Sequence, residues 1–348
     1  MLKIAEKICK HKKIILAIAL LLLIPSVIGM KATRINYDIL AYLPDDVDTV
    51  QGENILTNEF NMGSYSIVIT ENMSTKDIQK LEDKFKQLDN VEKVVSVADL
   101  LGSNVPVEML PDNIKNIAYK DGDTAILVTF KEGISSDKTL ESIEQLRKIA
   151  DKQCKISGMS ALVLDTKDIA NSEIVTYVVI AVVLCMIVLQ FALDSYLAPV
   201  FLLASIGIAI LYNMGSNIFL GEISYITKAI SAVLQLYHSY KAEKENYTDN
   251  DEAMAHAISK TLVSVVGSSL TTIAGFLALC SMNLTLGKDI GIVMAKGVFL
   301  GVVSVVTVLP AMLLIFDKAI EKTKHKEILP RFEKLKNFNI KHYKAIIV

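Results

Sequence analysis

Apolar residues in this chain gather into blocks, and one long polar stretch separates the first block from the rest. The first block, "IILAIALLLLIPSVIGM" (14–30), follows Lys10, His11, Lys12 and Lys13. Further blocks occupy 174–193, 197–215, 262–286 and 290–316. Each approaches the roughly 20 residues that a helix needs to cross a hydrocarbon core about 30 Å thick. A shorter apolar run, 229–237, begins after Lys228 and ends at His238, Lys241 and Lys244. It reaches only about half way across such a core. The basic run before residue 14 resembles the start of a signal peptide, but no small-residue cleavage site follows and "MKATRINYDIL" continues directly. The block therefore reads as an uncleaved first helix.

The polar stretch, 31–170, carries its own periodicities. "SYSIVIT" (64–70), "VEKVVSV" (91–97), "DTAILVTF" (123–130) and "QCKIS" (153–157) have the look of strands. Between them, "TKDIQKLEDKFKQLDN" (75–90) sets Ile78, Leu81, Phe85 and Leu88 on one helical face. A second amphipathic helix is expected over 135–152, opening on Ser and Asp cap candidates. The order β-α-β-β-α-β is that of the ferredoxin-like split unit, which predicts a fold and no chemistry.

Charge orients the blocks. Lysines before the first block place the N-terminus in the cytoplasm, and Lys318, Lys322, Lys324, Lys326, Arg331, Lys334 and Lys336 place the tail there too. Both conditions hold only if the short run also crosses, with Lys228 snorkelling at the outer face. Residues 31–170 are then extracytoplasmic. The formal charge of −2 gives no argument for a nucleic-acid partner. Cys9, Cys154, Cys185 and Cys280 form no CxxC or Cys/His cluster, so neither a disulfide framework nor a zinc site is expected. No nucleophile motif, P-loop or dinucleotide glycine pattern is present, so no enzyme activity and no cofactor are expected.

Several stretches, in order, resemble the MMPL-like branch of the RND superfamily. They are "INYDILAYLPDD" (35–46), "GMSALVLDTKDIANSE" (158–173), "GEISYITKAISAVLQL" (221–236), "DEAMAHAISKT" (251–261) and "LGKDIGIVMAKGVFLGVVSVVTVLPAMLLIF" (286–316). The resemblance implies a polytopic α-helical membrane bundle of six helices bearing an extracytoplasmic α+β ferredoxin-like porter domain. It also implies proton-coupled export of a hydrophobic or lipid-like substrate from the cell membrane. In that family the run resembling "AVLQL" continues into a Gly-x-x-x-Asp-Tyr segment that carries the proton-relay carboxylate. Here Leu236 is followed directly by Tyr237 and His238. A stretch of about ten residues, nearly three helical turns, is absent, so the fourth helix is shortened and its coupling impaired.

The end of the chain, "IKHYKAIIV" (340–348), echoes "CKHKKIILA" (9–17) and stands where a seventh helix would begin. The chain thus reads as the first half of a duplicated transporter. Its parts are 1–30 (N-terminus and first helix), 31–170 (porter domain), 171–318 (helices two to six, with a cytoplasmic amphipathic helix at 248–261) and 319–348 (basic linker and start of a seventh helix). A second half or a homo-oligomer would complete it.

Ionisable or polar groups inside or beside spans are the site candidates. Lys296 lies six residues into the last block and is placed to pair with a carboxylate across the bundle, or else to snorkel. Asp289, with Lys288, stands at the outer helix mouth as a capping group. Gln235 is polar in mid-span, His238 lies at the inner interface, and Lys228 lies at the outer one. The alternative function is a non-transporting, membrane-anchored lipid- or partner-binding scaffold, or a fragment without function.

Overall fold

A computed structural model describes residues 2–38, 40–60, 62–96, 99, 119–120, 122–150, 152–231 and 251–325. Helix α1 (Leu2–Lys10) precedes the first long apolar helix α2 (Lys12–Ala32), and a short strand β1 (Arg34–Asn36) follows. Helix α3 (Asp48–Phe60) leads into strand β2 (Ser64–Thr70), helix α4 (Thr75–Phe85) and strand β3 (Val91–Val95). Then come β4 (Tyr119–Lys120), β5 (Asp123–Phe130), helix α5 (Asp137–Ile149) and β6 (Cys154–Ser157). The remaining elements are helix α6 (Met159–Ala192), helix α7 (Ala198–Gly215), strand β7 (Glu222–Ser224) and helices α8 (Asp251–Ala278), α9 (Thr285–Ile315) and α10 (Asp317–Lys322).

The strands lie in the order β3-β5-β2-β6, all antiparallel, with β4 paired to β5. Ser74 and Ser136 cap α4 and α5, each accepting a backbone N–H three residues on, which is why both helices start where they do. These helices cover one face of the sheet. Ile78, Leu81 and Phe85 meet Leu140, Ile143 and Leu146 over Val68, Ile126, Val128 and Phe130. Leu88 packs against this core from the turn beyond α4, because the helix ends at Phe85. The opposite face is open. Tyr65, Ile69, Val95 and Leu127 remain between 37% and 42% exposed there, while Ser66 and Thr70 of the same strand are buried beneath the helices.

Among the described residues, five helical segments are long and apolar enough to cross a membrane: Lys12–Ala32, Met159–Phe191, Ala198–Leu220, Leu262–Ser281 and Thr285–Ile315. The shortened fourth helix expected from the sequence is described only at its start, where 225–231 are helical. Gln235, His238 and the Leu236–Tyr237 junction lie outside the described residues, as do 326–348. Residues 251–261 run without a break into the apolar part of α8, and their face bearing Met254 and Ile258 packs in a cluster with Ala5 and Cys9 of α1. Contact with α1, which the apolar pattern did not reveal, therefore accounts for that amphipathic face.

Close approach sets the bundle's geometry. A Cβ built on Gly29 of α2 would stand 2.2 Å from the Gly215 carbonyl oxygen of α7, so only glycine fits this crossing. At the other end of the bundle, Ser195 is fully buried between α6 and α7, and its hydroxyl bonds Thr323 at 2.9 Å and the Ile320 carbonyl at 3.2 Å. This ties the α6–α7 turn to the chain leaving α10.

Candidate functional site at the junction of domain and bundle

Helix α6 is 34 residues long, or about 51 Å, whereas about 20 residues suffice to cross a bilayer. Its first turns belong to the sheet domain: Ala161, Val163 and Leu164 are buried in that core. Arg147 of α5 holds Asp165 of α6 at 2.7 Å. Only Gly158 separates β6 from α6; its φ is +114°, and a Cβ there would lie 3.0 Å from the Ser66 Cα. The sheet and the helix are thus joined with no slack.

Where α6 leaves the domain, three other segments converge on it. Strand β1, just after α2, pairs in parallel with β7, just before the helix at 225, in the register Arg34↔Glu222, Ile35↔Ile223, Asn36↔Ser224. The Asn36 amide donates to Glu222 at 3.3 Å, and its carbonyl accepts from the Asp38 N–H at 2.9 Å. Tyr37 stacks on Tyr225 with ring centroids 5.5 Å apart. The Tyr37 hydroxyl and the Lys228 ammonium both donate to Asn171 Oδ1 of α6, at 3.4 and 3.1 Å. Burial pushes the Tyr37 hydroxyl's pKa up; the Asn171 bond opposes this, and the Asp168 carboxylate adds to it. Tyr42 is raised further, first by burial and then by the carboxylates of Asp289, Glu222 and Asp38, against a Ser224 hydrogen bond. Both phenols therefore stay protonated over any ordinary pH, and the Tyr37 hydroxyl keeps its bond to Asn171.

Asp289, in the second turn of α9, reaches across to the same place. Its Oδ2 accepts from the Ser224 N–H and from the Thr227 hydroxyl, each at 2.7 Å. It thereby satisfies the start of the neighbouring helix, where backbone N–H groups lack intrahelical partners. Thr285, one turn earlier on the same face of α9, donates to the Tyr42 carbonyl at 3.1 Å. Two turns further in, Lys296 donates to Asn217 Oδ1 at 2.5 Å. Asn217 is 1% exposed, just beyond the end of α7. No carboxylate among the described residues lies within ion-pair distance of Lys296, so its charge rests on an amide dipole.

The structure brings Asp289 and Lys228 into one junction, with Lys296 in the bundle directly below Asp289. Asn171, Tyr37, Tyr225, Ser224, Thr227 and Asn217 complete it, and the apolar pattern singled out none of these. They do lie in or beside the stretches that resemble MMPL proteins. Among the described residues no group of three His, Cys, Asp or Glu side chains could hold a metal, and no disulfide joins Cys9, Cys154, Cys185 or Cys280. Charges held by fixed dipoles, at the crossing of four segments, suit an arrangement that passes displacement between helices.

The model of the MMPL family matches residues 41–337. The chain belongs to the MMPL family. Membrane protein ActII-3 of Streptomyces coelicolor is 36% identical over 90 residues, which is 26% of this chain and 13% of that protein. Membrane protein MJ1562 of Methanocaldococcus jannaschii is 31% identical over 103 residues, 30% of this chain and 24% of that protein. The matched segments thus span less than a quarter of either relative's length. The crystal structure of SecDF in its super-membrane-facing form is similar over 90% of this chain and 39% of that one, at 14% identity and a TM-score of 0.47. With five apolar helices of spanning length, this MMPL chain is a multi-pass membrane protein.

Proposed function

We propose that the chain is one half of an MMPL exporter of hydrophobic or lipid-like substrates, whose drive from the proton gradient is impaired. In this reading residues 31–170 are an extracytoplasmic porter domain, and the sheet order β6-β2-β5-β3 is that of a ferredoxin-like unit. Six helices carry it, the fourth shortened, with the N-terminus in the cytoplasm of a cell whose outer membrane face bears the domain. The observation that carries the reading is the slack-free passage from sheet to α6, locked at Asn171 to the start of the fourth helix. Movement of the fourth helix against α9 would swing the domain through that lock. The chain supplies position and charge rather than catalysis.

The apolar open face of the sheet, Tyr65, Ile69, Val95 and Leu127, supports a hydrophobic substrate or the matching domain of a second half or second copy. Impairment follows from Leu236 joining Tyr237 directly, since a carboxylate within the bundle is what a proton gradient would act on.

The test is proteoliposomes that hold the chain, a fluorescent lipid and an interior pH dye, under an imposed pH gradient. The unaltered chain is expected to bind the lipid and to carry no proton flux above protein-free liposomes. Inserting a Gly-x-x-x-Asp-Tyr segment between Leu236 and Tyr237 is expected to create flux. Gradient-driven flux through the unaltered chain contradicts the impairment. A chain that binds no lipid and gains no flux on insertion contradicts the exporter reading.

A further inference from the structure

We infer that α1, with the first turn of α2, forms a docking surface for anionic phospholipid headgroups. Residues 2–13 hold Lys3, Lys7, Lys10, Lys12 and Lys13 against a single acid, Glu6. Helix α1 is amphipathic, and its apolar face is already occupied. It packs on α8 and α9, burying Ala5 and Cys9 in a cluster with Met254, Ile258, Leu313 and Ile320. Lys3, Lys7 and Lys10, spaced i, i+4, i+7, are therefore fixed on the remaining side, where all three are exposed.

The position of α1 follows from what it touches. Met254 and Ile258 precede the apolar run of α8, and Ile320 follows the end of α9. All three lie where spans stop, so α1 lies at the membrane boundary. Two apolar side chains on its open side have no protein cover: Ile4 is 54% exposed, and Ile14, just past the turn at His11, is 56% exposed. Lysines flanking uncovered isoleucines at that depth match a lipid interface, with alkyl groups among acyl chains and ammonium groups among phosphates. No carboxylate among the described residues is within 4.0 Å of Lys3, Lys7, Lys10 or Lys13, so their charge is open to an external anion. At the same end of the molecule, α10 balances Lys318 and Lys322 with Asp317 and Glu321, so among the described helices there α1 with the first turn of α2 carries the excess of lysine.

A cluster of this size beside a span favours anionic over zwitterionic lipid. The occupied apolar face makes the consequence specific. Headgroups bound to Lys3, Lys7 and Lys10 hold α1 against α8 and α9.

The experiment reads the motionally restricted fraction of spin-labelled phosphatidylglycerol and phosphatidylcholine around the full chain in bilayers. Wild type is expected to prefer phosphatidylglycerol about tenfold at low salt and to lose the preference near 1 M salt, where the screening length falls to about 3 Å. The variant K3Q/K7Q/K10Q/K13Q is expected to show near parity, whereas K318Q/K322Q keeps the wild-type preference. A quadruple variant with intact helix content and full preference overturns the inference. So does a wild-type preference that is absent or indifferent to salt, a result that stands even if the quadruple variant fails to fold.

Discussion

Glu82 shows how a single residue records its surroundings. It lies on α4 with its side chain 1% exposed and the Lys86 ammonium 3.7 Å away. Burial raises its pKa above the usual carboxylate value, the Ser96 hydrogen bond opposes this, and the Asp99 carboxylate adds to it. The native state then holds its proton more tightly than the unfolded chain does. By linkage, Glu82 lowers stability as pH rises from about 4.5 through its raised folded value. Glu82→Gln is expected to remove that fall, leaving the variant relatively more stable at neutral pH than at pH 4. Denaturant unfolding of the detergent-solubilised chain from pH 4 to pH 8 measures it, and superimposable profiles for variant and wild type would refute the assignment. In the sequence Glu82 looks like any charged residue on an amphipathic helix, because Ile78, Leu81 and Phe85 define the buried stripe without it. Only the sheet beneath shows that its position is covered.

At the scale of elements, the local rules worked where one element sufficed. The strands at 64–70 and 123–130 have the bounds their alternation indicated, and the serine caps start both domain helices. Lys296 and Asp289 were visible as charges near a span. Their partners were not, since Asn217, Ser224 and Thr227 are ordinary polar residues until separate segments bring them together. Strand β1 is likewise three residues long and finds β7 188 positions away in its register, from Arg34 to Glu222. Helix crossings are equally invisible: Gly29 and Gly207 look alike in sequence. Gly29→Ala would drive a Cβ into the Gly215 carbonyl, a backbone atom that cannot step aside. It is expected to cost about 2 kcal/mol or more, as overpacking does. Gly207→Ala meets nothing within 4 Å and is expected to be neutral or to stabilise by up to about 1 kcal/mol through helix propensity. Thermal unfolding in one detergent compares them; equal effects would mean that α2 and α7 do not cross at Gly29.

Across the whole molecule, the sheet domain and the helical bundle meet at one junction. The sheet domain continues into α6 through Gly158, and the bundle presents Asp289 and the helix that begins at 225 to the same point. The length of α6, the β1–β7 pair and the Asn171 node make sense together as a means of passing motion between them. Asp289 is the member whose removal separates this account from a static one, because it lies on α9 while its partners lie on β7 and the helix at 225. Hydrogen exchange on the full chain in nanodiscs, comparing wild type with Asp289→Ala, reads the junction directly. The account predicts that protection falls together at 222–231 and at 34–36 across the strand pair, while β2, β5 and β6 keep theirs. Loss of protection confined to the first turns of α9, with 34–36 unchanged, would contradict it.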